Sequence, residues 1–312
     1  MRVIHFGSGA FSVPSLCAVL DGPHDVVGVF TQPARPAGRS GRPRPTPVAI
    51  AAAERGIEPV ECASINAPDA VERVRALAAD VICVVDFGQL IKQPVLDAAR
   101  LGAFNLHGSL LPLLRGAAPV QWALIRGHQT TGVTCFRIVL AMDAGPIYLQ
   151  RSVEIAPEET ADELKARLAE LGARAVCETL DALAGGSAVA VEQDHEKATL
   201  APRLAKSDGR IDFAADARGI HDLVRGCWPW PGGQSLLCRK SAKPVAVTIA
   251  RTRLLTGDAA GRPGELDADL AVACGTGRLA IERIKPAGKR LMNWLDFING
   301  YRLQPGDRFR SP

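Results

Sequence analysis

The sequence predicts an α/β protein in which a mostly parallel sheet flanked by helices is followed by a small β-barrel. Two observations carry this. Over the first half of the chain, short β-branched runs alternate with helical stretches, which is the pattern of βαβ units. Beyond about residue 234, strand-like runs follow one another with turn residues between them. The length of 312 residues agrees with two domains at roughly 150 residues each.

The first strand is predicted at residues 2–6, leading through Gly7-Ser8-Gly9 into a helix at 12–20. Strand 25–31, helices 46–55 and 67–79, strand 81–85, helix 93–99, strand 103–107, helix 118–126 and strand 132–139 continue the alternation. Thr160 and Glu163 have the spacing of a capping box, and Leu164, Leu168, Leu171, Val176, Leu180 and Leu183 keep a helical period. A long helix therefore runs to Gly185-Gly186, whose glycines end it. Residues 190–209 are polar and irregular and read as a linker, giving domains at 1–189 and 210–312. The second begins with a helix at 214–225 and the turn-rich Trp228-Pro229-Trp230-Pro231-Gly232-Gly233. Strand-like runs at 234–238, 244–250, 263–266, 271–274 and 278–284 then fit an open Greek-key barrel of the oligonucleotide-binding type.

Composition narrows the function. Hydrophobic residues at 47% and charged residues at 22% argue against disorder. No apolar run approaches the roughly 18 residues of a membrane span, and Met1 leads straight into a strand pattern without a signal-peptide core. The reading is a cytoplasmic, monomeric protein with no membrane partner. The eight cysteines form no C-x-x-C pair and several sit in apolar runs, so they read as small buried hydrophobes, and no metal site is expected. The net charge of +4 is unevenly distributed: residues 1–202 carry −4 and residues 203–312 carry +8, a hint of a polyanionic partner. Gly7-Ser8-Gly9 begins like a dinucleotide fingerprint, but Ser12 stands where its third glycine belongs and residues 29–33 hold no acid. A nicotinamide or flavin cofactor is not expected, and no P-loop motif occurs.

Two stretches carry chemistry. Between Thr31 and Pro47 the chain has Arg35, Arg39, Arg42 and Arg44 with no acidic residue from Asp25 to Glu54. Its five prolines and two glycines predict an irregular exposed loop suited to phosphates. In Phe104-Asn105-Leu106-His107-Gly108, Asn105 and His107 point to the same side of a strand at its carboxyl end. Such a pair taken alone is more often structural. Asp143 changes the balance, because it follows the apolar strand ending at Leu140 and can place a carboxylate beside His107. An amide, an imidazole and a carboxylate suffice for acyl-type transfer to an amine: Asn105 and His107 stabilise an oxyanion and Asp143 orients the ring. No Ser or Cys is placed as a nucleophile, which favours direct transfer.

These residues resemble the folate-dependent formyltransferases, and among them those that formylate initiator methionyl-tRNA. The resemblance rests on Val29-Phe-Thr-Gln-Pro33 with Arg35-Pro-Ala-Gly-Arg39, Asn105-Leu-His-Gly-Ser-Leu-Leu-Pro112, Arg115-Gly-Ala-Ala-Pro119, Thr131-Gly-Val-Thr134 and Asp143-Ala-Gly145. It extends through Lys206-Ser-Asp-Gly-Arg-Ile-Asp212, Trp228-Pro-Trp-Pro231 and Lys285-Pro-Ala-Gly-Lys289, so it covers nearly the whole chain. It implies a Rossmann-like catalytic domain followed by a barrel resembling the OB fold, with 10-formyltetrahydrofolate as formyl donor and the tRNA as acceptor. Asn105, His107 and Asp143 match the catalytic trio. Ser109, Leu110, Leu111 and Pro112 match a folate-contacting segment, and Asp86, Phe87, Gly88 and Gln89 fall where a loop walls the pterin pocket. Arg39 matches an arginine inserted at the acceptor end of the tRNA and Lys206 a linker lysine. Arg35, Arg42, Arg44, Lys289 and Arg290 complete the expected tRNA surface. The chain departs from the family pattern at Gly7-Ser8-Gly9, usually Gly-Thr-Pro, and at Asp86, usually Ala. Three other readings share features with this one: an amino-sugar nucleotide formyltransferase, a formyltetrahydrofolate hydrolase, and an RNA-binding module without activity.

Overall fold

The computed structural model describes residues 1–36, 41–240, 242–257 and 261–312. The chain forms two compact units and enters each of them more than once. One comprises Met1–Pro119, Thr131–Val153 and Lys165–Ala201; the other comprises Val120–Thr130, Glu154–Leu164 and Pro202–Pro312.

The first half of the chain supplies strands β1 (Arg2–Gly7), β2 (Asp25–Thr31), β3 (Arg35–Pro36), β4 (Pro43–Arg44), β5 (Val60–Glu61), β6 (Val81–Val85), β7 (Ala103–His107), β8 (Thr130–Arg137) and β9 (Ile147–Glu154). Among the described residues, a seven-stranded sheet runs in the order β5-β2-β1-β6-β7-β8-β9. The pairings from β5 to β7 are parallel, whereas β8 runs antiparallel to β7. All five residues of β6 are buried, which is why this strand reads as an unbroken apolar run rather than an alternation. Helices α1 (Val13–Leu20), α2 (Pro47–Glu54), α3 (Pro68–Ala76), α4 (Gln93–Leu96) and most of α6 (Ala161–Ala184) complete this part, whereas α5 (Pro119–Ile125) belongs almost wholly to the other unit. Alternating side chains serve the two faces of the sheet. Ile4, Phe6, Phe30 and Ile82 pack on Val71 and Val74 of α3 and Val95 of α4, while Val29 packs with Leu16 of α1 and Val48 of α2.

Local chemistry fixes the helix ends. Pro47 opens α2 behind Thr46, whose Oγ1 accepts from Ala49 N at 3.0 Å. The Glu163 carboxylate accepts from Thr160 N at 2.9 Å, as the capping-box spacing predicts, and α6 ends ahead of Gly186 at φ +69°. The edge strand β9 is not predicted. It is half exposed and its centre is Gln150-Arg151-Ser152, so no alternation stands out. The proline-rich loop also differs from expectation, because β3 and β4 pair as a short antiparallel ribbon. Pro36 lies across from Pro43, and a ribbon that needs no N–H from either residue there tolerates both.

His5 of β1 is wholly buried, with Nε2 2.8 Å from Ser12 Oγ and no partner for Nδ1. Burial lowers its pKa from 6.5 to about 4. The folded state thus disfavours the charged ring, while the unfolded chain takes up a proton below pH 6.5, so stability falls as pH drops from 6.5 to about 4. The full loss is about 3 kcal/mol. In urea unfolding at pH 7 and pH 4.5, His5→Gln should show a shallower decline than the wild-type protein; equal declines would count against this account.

The second unit contains α7 (Ala217–Cys227), β10 (Gly233–Arg239), β11 (Ala242–Leu255), β12 (Val272–Ala273), β13 (Arg278–Pro286), β14 (Met292–Asn293), α8 (Trp294–Tyr301) and β15 (Arg308–Arg310). Antiparallel pairing gives the order β12-β13-β11-β10-β15, with β14 beside β13. Residues 263–266, expected as a strand, make only isolated pairings, Glu265 with Arg308 and Leu266 with Val272. These link the two edge strands and bring the barrel close to closure, as in an OB-like fold. Its core includes Ile211, Phe213, Leu237, Ile249, Ile284 and Phe309. α7 is stitched to the segment Glu154–Leu164 of the same unit. Arg225, paired with buried Asp222 at 2.7 Å, also donates to the carbonyls of Ala156 and Glu159, and His221 Nε2 donates to Pro157 O at 3.1 Å.

No helix among the described residues is long and apolar enough to cross a membrane. All eight cysteines are free, and burial pushes the thiols of Cys135, Cys227 and Cys274 up to about 12. These three therefore behave as buried apolar groups rather than as nucleophiles.

Candidate active site

The site is built around the carboxyl end of β7. Asn105 and His107 lie two residues apart on this strand, on one face, with His107 opposite Thr134 of β8. His107 is buried, and its Nε2 lies 2.9 Å from Leu114 O. A carbonyl can only accept, so the proton sits on Nε2 and Nδ1 is the nitrogen left for chemistry. Asn105 is half-buried, and its amide makes no side-chain hydrogen bond among the described residues.

The loop after β7 is held firmly. Thr134 Oγ1 donates to Ser109 O at 2.6 Å and accepts from Leu111 N at 3.1 Å, and Gln150 Nε2 donates to Leu111 O at 2.8 Å. Ser109 Oγ donates to Leu113 O at 2.6 Å. Of the residues expected to meet folate in this segment, Ser109 and Leu111 are buried, while Leu110 and Pro112 are half-buried.

Asp143 reaches the site by an indirect path. Because β8 is antiparallel, its end at Arg137 lies beside Phe104, away from His107, and residues 138–146 must double back. The excursion places Asp143 Oδ2 3.9 Å from His107 Nδ1, an ion-pair distance longer than a hydrogen bond. The same oxygen accepts from Gly116 N at 2.8 Å. Asp143 has φ +49°, a left-handed conformation that aspartate tolerates better than most residues. Gly145 is required close by, since a Cβ there would lie 1.8 Å from Arg137 O.

The segment Asp86–Gln89 follows β6. There the sheet order reverses between β1 and β6, the place where open α/β sheets bind ligands. Ser8 N and Gly9 N donate to Asp86 O at 3.1 and 3.2 Å, and the Asp86 carboxylate is 3.3 Å from Lys165 Nζ. A side chain at position 9 would collide with that carboxylate, so Gly9 and Asp86 fit as a pair. Phe87 is buried against Phe6, Gly88 has φ +76°, and Gln89 bonds Ile65 N and Cys62 O.

The expected phosphate-binding cations are exposed: Arg35 and Arg44 opposite one another on the β3–β4 ribbon, Arg42 beside it, and Lys206, Lys289 and Arg290 in the second unit. Among the described residues, Arg42, Arg44, Lys206, Lys289 and Arg290 form no ion pair, and Arg35 donates to Gln32 Oε1. Like charges directly across a ribbon repel, which favours an anion between them. Arg39 lies outside the described residues. No group of three His, Cys, Asp or Glu side chains stands ready for a metal among the described residues.

Sequence reading misses the residues that hold these loops, Gln150, Gln193 and Thr199. Residues 191–201 form a strap along the site, with Val191 paired to Ile147 and with Thr199 and Ala201 bonded to Arg115. Nothing in the spacing of that polar stretch singles them out.

A family model described as formyl transferase matches residues 1–180, and one described as formyl transferase, C-terminal domain, matches residues 203–302. A methionyl-tRNA formyltransferase of Solibacter usitatus is 42% identical over 310 residues, covering 99% of this chain and 98% of that protein. One from Citrifermentans bemidjiense is 39% identical, covering 98% and 95%. Among solved structures, an N-formyltransferase from Helicobacter canadensis, in complex with folinic acid and dTDP-3-aminofucose, has a TM-score of 0.66 at 16% identity, over 90% of this chain and 97% of that one. At that identity the likeness is one of fold.

Proposed function

Since this chain belongs to the formyl transferase family, we propose that it moves the formyl group of 10-formyltetrahydrofolate to the α-amino group of initiator methionyl-tRNA in the cytoplasm, acting as a monomer. The catalytic residues fall in the first unit, and the second, built mainly from Pro202–Pro312, holds the tRNA. What supports the catalytic assignment most is the meeting of an uncommitted amide, Asn105, with an imidazole whose Nε2 is already bound, beside the carboxylate of Asp143.

The neutral α-amine attacks the formyl carbon, and the carbonyl oxygen gains negative charge. The Asn105 amide donates to that oxygen, and so does His107 through a proton on Nδ1, the nitrogen not engaged by Leu114. The Asp143 carboxylate stabilises the positive ring and takes the proton lost by the amine, directly or through one water. As the tetrahedral species collapses, the bond from the formyl carbon to N10 of the folate breaks and N10 takes up the proton that Asp143 received from the amine, which restores the carboxylate. Ser109 to Pro112 and the Asp86–Gln89 segment border the donor. Arg35, Arg39, Arg42, Arg44, Lys206, Lys289 and Arg290 meet the phosphates of the acceptor.

The test is formyl transfer from 10-formyltetrahydrofolate with methionyl-tRNA, free methionine, an amino-sugar nucleotide and buffer as parallel acceptors. Product on methionyl-tRNA alone is expected. Transfer to the sugar amine, or release of formate in buffer, would assign the site to a different acceptor.

A further inference from the structure

We propose that Gln193 and Thr199 are positioning residues for the transfer reaction, one setting Asp143 and the other setting the carbonyl that holds His107. This rests on the roles given above to His107 and Asp143.

Gln193 is nearly buried and all its hydrogen-bonding capacity is used. Its Nε2 donates to Asp143 O at 2.9 Å and to Gly145 O at 2.7 Å, so both amide hydrogens go to the loop that carries the carboxylate. Its Oε1 accepts from Arg115 Nε at 3.2 Å and Nη2 at 2.6 Å. The residue after Arg115 is Gly116, whose N–H holds the Asp143 carboxylate. Asp143 is therefore gripped at its backbone by Gln193 and at its carboxylate by Gly116, and Arg115 ties the two grips together. A non-glycine residue at φ +49° persists only where its surroundings over-determine it, and these bonds do so.

Thr199 acts on the other member of the pair. Its Oγ1 accepts from Leu114 N at 2.9 Å, and its own N–H donates to Pro112 O. Leu114 also has a left-handed backbone, at φ +61°, and its carbonyl fixes the His107 proton on Nε2. Thr199 O also accepts from Arg115 N at 2.8 Å, so both peptides that meet at Leu114, the second of which supplies the carbonyl, are tied to Thr199, and a turn at Leu114 would release the Nε2 proton of the ring. One strap thus fixes the orientation of both catalytic side chains without touching either, as the outer residues around a metal-bound histidine do.

The experiment measures kcat and KM for donor and acceptor in Gln193→Glu, Thr199→Val and Thr199→Ser, alone and combined with Asp143→Asn. Gln193→Glu keeps the length of the side chain and an acceptor for Arg115 but loses both donors. It and Thr199→Val should lower kcat roughly 10- to 100-fold with KM unchanged. Thr199→Ser, which restores the acceptor, should recover the rate. In the Asp143→Asn background Gln193→Glu should cost nothing further, because its effect passes through that carboxylate. Rates that multiply in the double variant, or KM that rises while kcat holds, would overturn the proposal. Should Gln193→Glu fail to fold, the Thr199 pair decides it. If Asp143→Asn loses activity while every strap variant keeps the wild-type rate, only this proposal fails. If Asp143→Asn itself keeps the wild-type rate, the reading of the site fails instead.

Discussion

His107→Ala is expected to lower kcat for formyl transfer by about 10²- to 10³-fold, the loss typical of removing one preorganised donor to a developing oxyanion. The size follows from where the ring sits. It is buried at the end of β7, its Nε2 proton is engaged by Leu114 O, and a carboxylate stands 3.9 Å from its other nitrogen. A donor held that way needs no reorganisation when charge appears, and water entering the vacated space would have to reorient. KM for the folate and for the tRNA should stay near wild type, since nothing else that binds them is removed. Asn105→Ala is the cleaner companion. Its amide holds no side-chain hydrogen bond among the described residues, so stability should hardly move while kcat falls by about 10²-fold. Wild-type turnover in either variant would place the chemistry elsewhere.

The affinity for methionyl-tRNA should fall on the order of 10³-fold between 50 and 200 mM salt if Arg35, Arg42, Arg44, Lys206, Lys289 and Arg290 all meet phosphates. Each cation that neutralises a phosphate releases condensed counterions, so log affinity against log salt should have a slope of about −5. Five of these cations form no ion pair among the described residues, so little internal energy is lost when they turn to a phosphate. Arg44→Ala, which removes one half of the facing pair on the ribbon, should make the slope shallower by about one. A flat salt response measured by filter binding would remove the basic residues from the tRNA path.

The parts of the fold with dense local signals were legible in the sequence. β6 is a run of five apolar residues, α6 opens on Thr160 and Glu163, and the short strands of the second unit stand between turn residues. Edges were not. β9, α8 and β15 bury few residues, so burial leaves only a faint period in them. The ribbon of β3 and β4 was hidden by prolines that looked prohibitive and turn out to face one another. At the site, Asn105 and His107 could be placed together because a strand repeats every two residues. The route of Asp143 could not be read, since it depends on β8 running antiparallel and the loop returning. Gln193 and Thr199 act across about 50 and 85 residues of sequence, distances at which local pattern carries no signal.

The interleaving of the two units bears on modularity. Val120–Thr130 and Glu154–Leu164 lie within the sequence of the first unit yet belong to the second. A gene truncated at Pro202 would therefore yield a barrel fragment without the carbonyls of Ala156, Pro157 and Glu159, leaving the guanidinium of Arg225 and the ring of His221 short of acceptors. Recombination at that boundary could not transplant the barrel intact. Any lineage that exchanged it would have had to exchange two inner segments with it, so the two units are expected to have been inherited together.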